Sequence, residues 1–357
     1  MRKFSARNLM IRILLHLVLF CPQLASAQPA LFDSDSVLNI KLMGDYKSLI
    51  TDRADEPKEH PLVLSYHDGN ADVNIPVSTR SRGNFRRTIG ACLYPPIMLL
   101  FDDATKSNTL FREQRKLKLV VPCKSDDLVL KEYMAYKIYN LITPMSFRVR
   151  LVKLSFIDPD KKKNPEPFYA FLLEEEDQMA KRNNMVAVEK RITPVLTDAN
   201  TFITMAVFEY FIGNTDWSVE YQQNIKLIAK DSVSTPYTVP YDFDHSGLVD
   251  AYYAQPAEEL KLSAVTERRY RGYCLSDLNQ YNPSFELFKK LKGQVYSLFE
   301  TAAYLPAGTR KSCLKFIGEF YDIIDNPQKI KKDFSYPCDP NGTGGVIIKG
   351  LGSEKKK

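Results

Sequence analysis

The chain has 357 residues and a formal net charge of +6, and 44% of its residues are hydrophobic. Four basic residues and no acidic residues precede Gln28, so the remainder of the chain carries a net charge of only +2. This near-neutral balance gives no support for nucleic-acid binding. The roughly 330 residues after that point are enough for one large domain or two lobes with a sizeable core.

The N-terminal segment has the features of a cleavable secretory signal peptide. A basic start leads into an apolar run, Ile13–Phe20, and the small residues Ala25, Ser26 and Ala27 follow. We therefore predict a signal peptide over residues 1–27 and a periplasmic or secreted location. No later segment reaches the roughly 18 uninterrupted apolar residues of a membrane-spanning helix, so we expect no membrane span after cleavage.

Five cysteines remain beyond the predicted cleavage point. They are Cys92, Cys123, Cys274, Cys313 and Cys338. In an oxidising compartment some of them should pair, and because the number is odd, at least one is expected to stay free or to bond elsewhere. Their spacing leaves the connectivity open and does not match a zinc finger.

The first part of the mature chain is predicted to be rich in strands. Short apolar runs indicate strands at 37–42, 62–66, 97–101 and 117–121, with a hairpin turn at 67–70. Lys118 alternates with Leu117 and Leu119, so its side chain should point to the opposite face of its strand. A helix is then predicted from Asp126 or Asp127 up to Thr143, where a proline follows.

The later part is predicted to be mainly helical. Two strands, 149–157 and 168–173, come before a helix that begins at Asp198 or Thr201 and stops at Gly213. Short strands at 224–228 and 237–241 and helices at 285–299 and 314–324 complete the pattern. We divide the chain into a strand-rich region with one helix at 28–170, a mainly helical region at 171–338 and a disordered tail at 339–357.

A set of acidic and amide side chains lies between Gly213 and Gly247. Asp216 follows the helix that stops at Gly213, Asn224 begins a strand, and Asp242 and Asp244 follow the next strand. These positions would bring three or four oxygen ligands to the end of a small hairpin. Phosphoryl transfer needs such groups, because one carboxylate orients the attacking hydroxyl while an amide and a second carboxylate hold Mg²⁺ against the nucleotide phosphates.

This segment resembles the catalytic and metal-binding segments of the spore-coat protein H-like kinases, which are secreted, atypical protein-kinase-like enzymes. The resemblance rests on Gly213-Asn214-Thr215-Asp216, Asn224 and Tyr241-Asp242-Phe243-Asp244, together with an Arg82-Gly83-Asn84 turn, and loosely covers residues 79–250. It implies an α+β, two-lobe protein-kinase-like fold with a strand-rich N-lobe and a mainly helical C-lobe. It also implies ATP, a divalent metal (Mg²⁺ or Mn²⁺) and a secreted or envelope protein as phosphate acceptor.

The resemblance also implies individual roles. Asp216 matches the catalytic aspartate, while Asn224 and Asp242 match metal ligands and Asp244 is an alternative ligand or an orienting acid. The family usually has a lysine in the strand after the Arg-Gly-Asn turn, where this chain has prolines at 95 and 96. Lys118, paired with Glu132 on the following helix, is one candidate to bind ATP instead, and Arg87 is another, with Arg82 as a further cofactor-binding residue.

Two other interpretations of the same residues stay open. The protein could be a non-catalytic, pseudokinase-like binding module, or Asp242 and Asp244 could hold Ca²⁺ in an envelope interaction protein. The run Asp242–Gly247 matches the first half of a calcium loop, but Tyr253 stands where an EF-hand has glutamate. The basic segment Glu267–Gly272 indicates either an acceptor-binding patch or surface ion pairs, with the ion pairs favoured.

Overall fold

The computed structural model of the chain describes residues 30–83, 86 and 92–335. The predicted signal peptide, the predicted tail and Arg87 lie outside the described residues. Seven strands form the first part of the fold: β1 (Leu38–Met43), β2 (His60–His67), β3 (Asp72–Ser81), β4 (Ile97–Phe101), β5 (Lys116–Val120), β6 (Val149–Ile157) and β7 (Phe168–Leu173).

These strands close into a barrel in the order β1-β2-β3-β4-β5-β7-β6. Neighbouring strands are antiparallel except for β1 and β6, which pair in parallel with Leu42 opposite Phe156. Alternate residues point into the barrel, as in β2, where Leu62 and Leu64 are buried in one apolar core with Leu42. The alternating apolar residues in the sequence are therefore those that point into the closed barrel.

The predicted two-lobe protein-kinase-like fold is wrong, because the structure contains a closed, seven-stranded mixed barrel with helices. The strands themselves were largely predicted from the sequence. What closes the barrel is the parallel pairing of β1 with β6, two segments that lie far apart in the chain. Hydrophobic periodicity reports which face of a strand is buried, but it contains no information about which distant strand becomes its neighbour.

Helices and a second sheet complete the fold. The helices are α1 (Tyr46–Thr51), α2 (Asp103–Lys106), α3 (Asp126–Ile142), α4 (Glu176–Arg182), α5 (Ala199–Ile212), α6 (Asn282–Glu300), α7 (Ala307–Ile324) and α8 (Pro327–Phe334). The second sheet contains β8 (Val186–Ala187), β9 (Ile225–Ala229) and β10 (Tyr237–Pro240) in the order β10-β9-β8. No helix among the described residues is long and apolar enough to cross a membrane.

Helix α5 lies at the centre of the helical region. Asp198 caps its first turn by accepting a hydrogen bond from the Thr201 amide at 2.8 Å, and Gly213 ends it with a φ of 68°. Almost every side chain from Phe202 to Ile212 is buried, so the helix is apolar on all faces. It packs in one large core that also includes residues of α3, α6, α7, β6 and β7.

Two cysteines near the end of β5 form a disulfide, between Cys92 and Cys123. Cys274 is also disulfide-bonded, whereas Cys313 is a free, buried thiol. The expectation that some cysteines pair and that at least one stays free is confirmed. Cys338 lies outside the described residues.

Candidate functional site

The turn after α5 presents Asp216. The backbone N–H of Asn214 donates to the carbonyl of Glu209 at 2.7 Å, which continues the helix end into the turn. The Asn214 side-chain oxygen then accepts the N–H of Asp216 at 3.0 Å. A glycine with positive φ followed by an asparagine that bonds two residues ahead thus fixes where the Asp216 carboxylate lies.

Asn224 joins this turn to the second sheet. Its side-chain nitrogen donates to the backbone carbonyl of Asp216 at 2.7 Å and to the Asp216 carboxylate at 3.0 Å. The side-chain oxygen of Asn224 consequently faces away from Asp216. Two residues eight positions apart in the sequence are therefore in direct contact, as the predicted hairpin required.

The other two acidic residues follow β10. The N–H of Asp242 donates to the hydroxyl of Tyr136 on α3 at 2.8 Å, and this bond holds the chain next to the helix. Asp244 is buried, and its carboxylate accepts a hydrogen bond from the Tyr253 hydroxyl at 2.9 Å. One tyrosine thus holds the backbone of Asp242, and another holds the carboxylate of Asp244.

Two arginines, Arg82 and Arg86, follow the end of β3 and lie near these acidic residues. The N–H of Arg82 donates to the carbonyl of Pro96 at 2.8 Å, so the residues on either side of the intervening loop are held together. Arg86, within that loop, donates to the carbonyl of Val121. The disulfide between Cys92 and Cys123 also ties this loop to the end of β5.

One cavity of about 300 Å³ brings these groups together. Its lining residues are Arg82, Gly83, Arg86, Pro96, Val120, Asp216, Gln223, Asn224, Asp242, Asp244 and His245. Five residues singled out from the sequence for catalysis, cofactor or metal binding are among them. A larger cavity of about 430 Å³ beside Arg150 holds none of the predicted residues. Another, of about 570 Å³, is lined by Arg82 but by none of the predicted acidic residues.

The remaining candidates lie apart from this lining. Lys118 is on β5, with its ammonium 5.0 Å from the ring centre of Tyr241. Glu132 is buried on α3. The two residues, both described, form no ion pair with each other, so the expected Lys118–Glu132 pair is absent. The charges that act on Glu132 come instead from Asp242, Asp244, Arg82 and Arg86.

Burial and mutual repulsion act together on the acidic residues. Asp242 is exposed as a residue, but the protein around its carboxylate desolvates it and raises its pKa. The nearby charge of Asp244 raises this pKa further, while Arg82, Lys118 and Arg86 act in the opposite direction. Burial likewise raises the pKa of Asp216, and the pKa of Glu132 lies well above its usual range for the same reason. A bound divalent cation would relieve this repulsion and favour the ionised carboxylates.

The pKa values of the nearby basic side chains are shifted too. Burial and the charge of Arg82 lower the pKa of Lys118 to about 8. Burial also opposes the charge on Arg86, but Tyr253, Asp244 and Glu132 outweigh it and raise the pKa of Arg86 above its usual value. Arg86 therefore remains charged next to the acids.

Arg86 was not predicted from the sequence. It lies one residue before Arg87, which the sequence offered as a candidate to bind ATP. Nothing in the sequence indicates that Arg86 lines a cavity with Asp242 and Asp244, because this depends on how the loop is folded. In the structure Arg86 lines that cavity and donates to the carbonyl of Val121.

The oxygen ligands fit magnesium better than a transition metal. Among the described residues no group of three or more Asp, Glu, His or Cys side chains is arranged to hold a metal ion. The candidate set is two carboxylates, Asp242 and Asp244, and the amide oxygen of Asn224. Magnesium is typically held by one or two carboxylates, with water and phosphate oxygens completing the octahedron.

Comparisons with known proteins give no independent assignment. No family model matches the sequence, and a search of curated proteins found no significant match. The function is therefore inferred from the residues that line the cavity.

Proposed function

We propose that this protein transfers a phosphoryl group from ATP to a secreted or envelope protein, with Mg²⁺ or Mn²⁺ as cofactor. One observation carries the proposal: Asp216, Asn224, Asp242, Asp244, Arg82 and Arg86 line the same cavity. Catalysis of phosphoryl transfer consists largely of positioning and electrostatic stabilisation, which that combination of side chains can supply.

Each side chain has a role that follows from its chemistry. The Asp216 carboxylate would orient the acceptor hydroxyl and accept its proton. Asn224, Asp242 and Asp244 would hold the metal, which supplies charge neutralisation at the phosphates. Arg82 and Arg86 would bind phosphate oxygens through their guanidinium groups.

A barrel fold is compatible with this chemistry. Function depends on the geometry of a site, and the same reaction occurs on unrelated folds. The disulfide between Cys92 and Cys123 and the disulfide-bonded Cys274 suit an oxidising compartment. They are in keeping with the N-terminal pattern of a signal peptide and with an acceptor outside the cytoplasm.

Thermal unfolding with and without ligand tests the proposal. We expect ATP with Mg²⁺ to raise the melting temperature of the wild-type protein, by the equivalent of about 2.7 kcal/mol at 100 times the dissociation constant. The variant Asp242→Asn should lose this shift. Asp322→Asn makes the same chemical change at an exposed position of α7 and should keep it. Retention of the full shift in Asp242→Asn would contradict the proposed site.

Turnover is measured separately, with ³²P-labelled ATP and a mixture of envelope proteins. Asp216→Asn should bind nucleotide like the wild type but lose phosphate transfer by at least about 100-fold, because general-base catalysis contributes about 10²–10⁴.

A binding protein without turnover is the second candidate. It is favoured by the hydrogen bonds that already occupy the Asp216 and Asp244 carboxylates, from Asn224 and Tyr253. Stabilisation by Mg²⁺ and ATP without transfer would indicate a pseudokinase-like module. Stabilisation by Ca²⁺ alone, with no effect of nucleotide, would indicate a calcium-binding interaction protein.

A further inference from the structure

The basic segment Glu267–Gly272 turns two of its arginines toward the protein. Arg268 donates to the carbonyl of Phe211 at 3.3 Å and to that of Phe316, and it forms an ion pair with Glu319 at 3.3 Å. Arg271, three residues later, contacts the turn that carries Asp216. The segment thus runs along the C-terminal end of α5, and Arg271 is not part of an exposed acceptor-binding patch.

Arg271 holds the Asp216 turn from both sides. A single guanidinium nitrogen, Nη1, donates to the carbonyl of Thr215 at 2.6 Å and to the carbonyl of Trp217 at 2.7 Å. These are the residues immediately before and after Asp216. The guanidinium carbon also lies 5.2 Å from the ring centre of Trp217, which is itself buried.

The position of this segment is fixed by close packing at Gly272. A side chain added there would put its Cβ atom 2.2 Å from the Tyr270 hydroxyl and 2.7 Å from the Cβ of Ala206 on α5. Only glycine avoids this overlap, so the segment passes directly against the helix. Arg271 is the neighbouring residue, so its backbone is held close to α5 as well.

A second buried acidic residue lies close to the turn. Glu209, on the last turns of α5, is fully buried, and neither of its carboxylate oxygens has a hydrogen-bond partner. Burial raises the pKa of Glu209, and the Asn214 side chain acts in the opposite direction without forming a hydrogen bond to it. The guanidinium of Arg271 interacts electrostatically with the side chains of both Asp216 and Glu209. Arg271 is therefore the basic residue of a buried cluster that also contains two acidic residues.

We propose that Arg271 is the positioning residue of the catalytic turn, and that it holds the backbone on both sides of Asp216 in place for phosphoryl transfer. This inference rests on the proposed function, since it gives Arg271 a role in orienting Asp216. Arg271 is not among the residues that line the cavity. Its loss should therefore affect the rate of transfer far more than the affinity for nucleotide.

The experiment compares Arg271→Ala with a matched control, Arg268→Ala. Both changes remove a guanidinium that bonds two main-chain carbonyls near the end of α5, but only Arg271 contacts the residues beside Asp216. Three properties are measured for each variant and the wild type: hydrogen exchange of the amides over 214–218, binding of ATP with Mg²⁺, and phosphate transfer. Hydrogen exchange needs no turnover, so it tests Arg271 even if the proposed function fails.

We expect Arg271→Ala to exchange faster over 214–218 and to lose transfer by roughly 100-fold, with nucleotide affinity changed by less than about threefold. Free guanidinium at millimolar concentration should restore transfer in Arg271→Ala, whereas urea should not. Arg268→Ala should keep wild-type exchange at these amides and wild-type transfer per folded molecule.

Two results would overturn the inference. Unchanged exchange over 214–218 in Arg271→Ala would show that the guanidinium does not hold the turn. Equal losses of transfer in Arg271→Ala and Arg268→Ala, without guanidinium rescue, would show a general loss of structure. If the wild type neither binds nucleotide nor transfers phosphate, the proposed function fails, and the exchange data alone decide whether Arg271 holds the turn.

Discussion

Two of the candidate metal ligands have a backbone conformation that few residues adopt. Asn224 has a φ of 53° and Asp242 a φ of 64°, both in the left-handed region. Asparagine and aspartate are the residues other than glycine that tolerate this region best, because their short polar side chains bond locally. Strained backbone of this kind is concentrated at functional sites. The same two residues are thus suited to the turn and to oxygen ligation.

Glu209 provides a prediction at the residue scale, because its burial raises its pKa well above the usual range. The folded protein holds the proton more tightly than the unfolded chain, so this residue's contribution to stability is complete below the unfolded pKa of about 4.3. It is lost as the pH rises toward the folded pKa. Glu209→Gln should therefore gain stability relative to the wild type with increasing pH, by up to about 1.4 kcal/mol per pH unit in that window.

Urea unfolding at pH 5, 6.5 and 8 would measure this difference. The groups that face Glu209 are Asp216, Asn214, Arg271 and Tyr139, and all are retained in the variant. Asp322→Asn is the control for a neutralised acid at the surface and should show no such trend. A constant difference between Glu209→Gln and the wild type across this range would mean that Glu209 is ionised in the folded protein.

At the scale of elements, the loop between β3 and β4 is held at its two ends. Arg82 bonds Pro96, and the disulfide joins Cys92 to Cys123 beyond β5. The cross-linked cysteines are separated by 31 residues. Closing a loop of that length in the unfolded chain is associated with about 3–4 kcal/mol of stabilisation in the chain-entropy model.

Replacing both cysteines with serine should lower the free energy of unfolding by about that amount. It should also weaken ATP binding, since Arg86 lies in the loop and lines the cavity. Chemical denaturation and nucleotide titration of Cys92→Ser/Cys123→Ser would measure the two effects. Cys313→Ser is the control, because it removes a thiol that makes no disulfide. Wild-type affinity in the double variant would mean that the disulfide does not position Arg86.

Most elements near the cavity could be predicted from local sequence. The helix ending at Gly213, the strand that begins at Ile225 and the strand before Asp242 all have clear patterns, and they bring Asp216, Asn224 and Asp242 together. Helix α1 and strand β3 were missed. In β3 the buried residues Ile75 and Val77 alternate with polar residues and a proline, which weakens the strand signal.

The whole molecule was less predictable than its parts. The barrel depends on pairing between β1 and β6, and the partner of a strand is decided by packing across the whole interior. The role of Arg271 was also hidden, because its contacts with Thr215 and Trp217 join segments more than fifty residues apart. A run of charges in a sequence usually lies in solvent, and only the fold reveals the member that turns inward.

One face of β6 and β7 belongs to the apolar core of the helical region, next to the separate core inside the barrel, so we predict that the two parts unfold together. Phe171 and Leu173 of β7 belong to the same buried cluster as α3, α5 and Trp217. Leu42 lies inside the barrel, fully buried between its neighbours on β2 and β6, and Leu42→Ala should cost about 2–5 kcal/mol. Lys41→Ala, at an exposed position of the same strand, should cost less than about 0.5 kcal/mol.

Trp217 is the single tryptophan of the chain and lies outside the barrel, which makes its fluorescence a report on the helical region. If the molecule is one cooperative unit, Leu42→Ala will move the urea midpoint of Trp217 fluorescence and that of far-UV circular dichroism by the same amount. An unchanged fluorescence midpoint with an earlier dichroism transition would mean that the barrel unfolds by itself. The cavity is lined by Arg82, which follows a barrel strand, and by Asp216 of the helical region. Unfolding of the barrel alone would therefore remove Arg82 from the cavity while Asp216 stays in place.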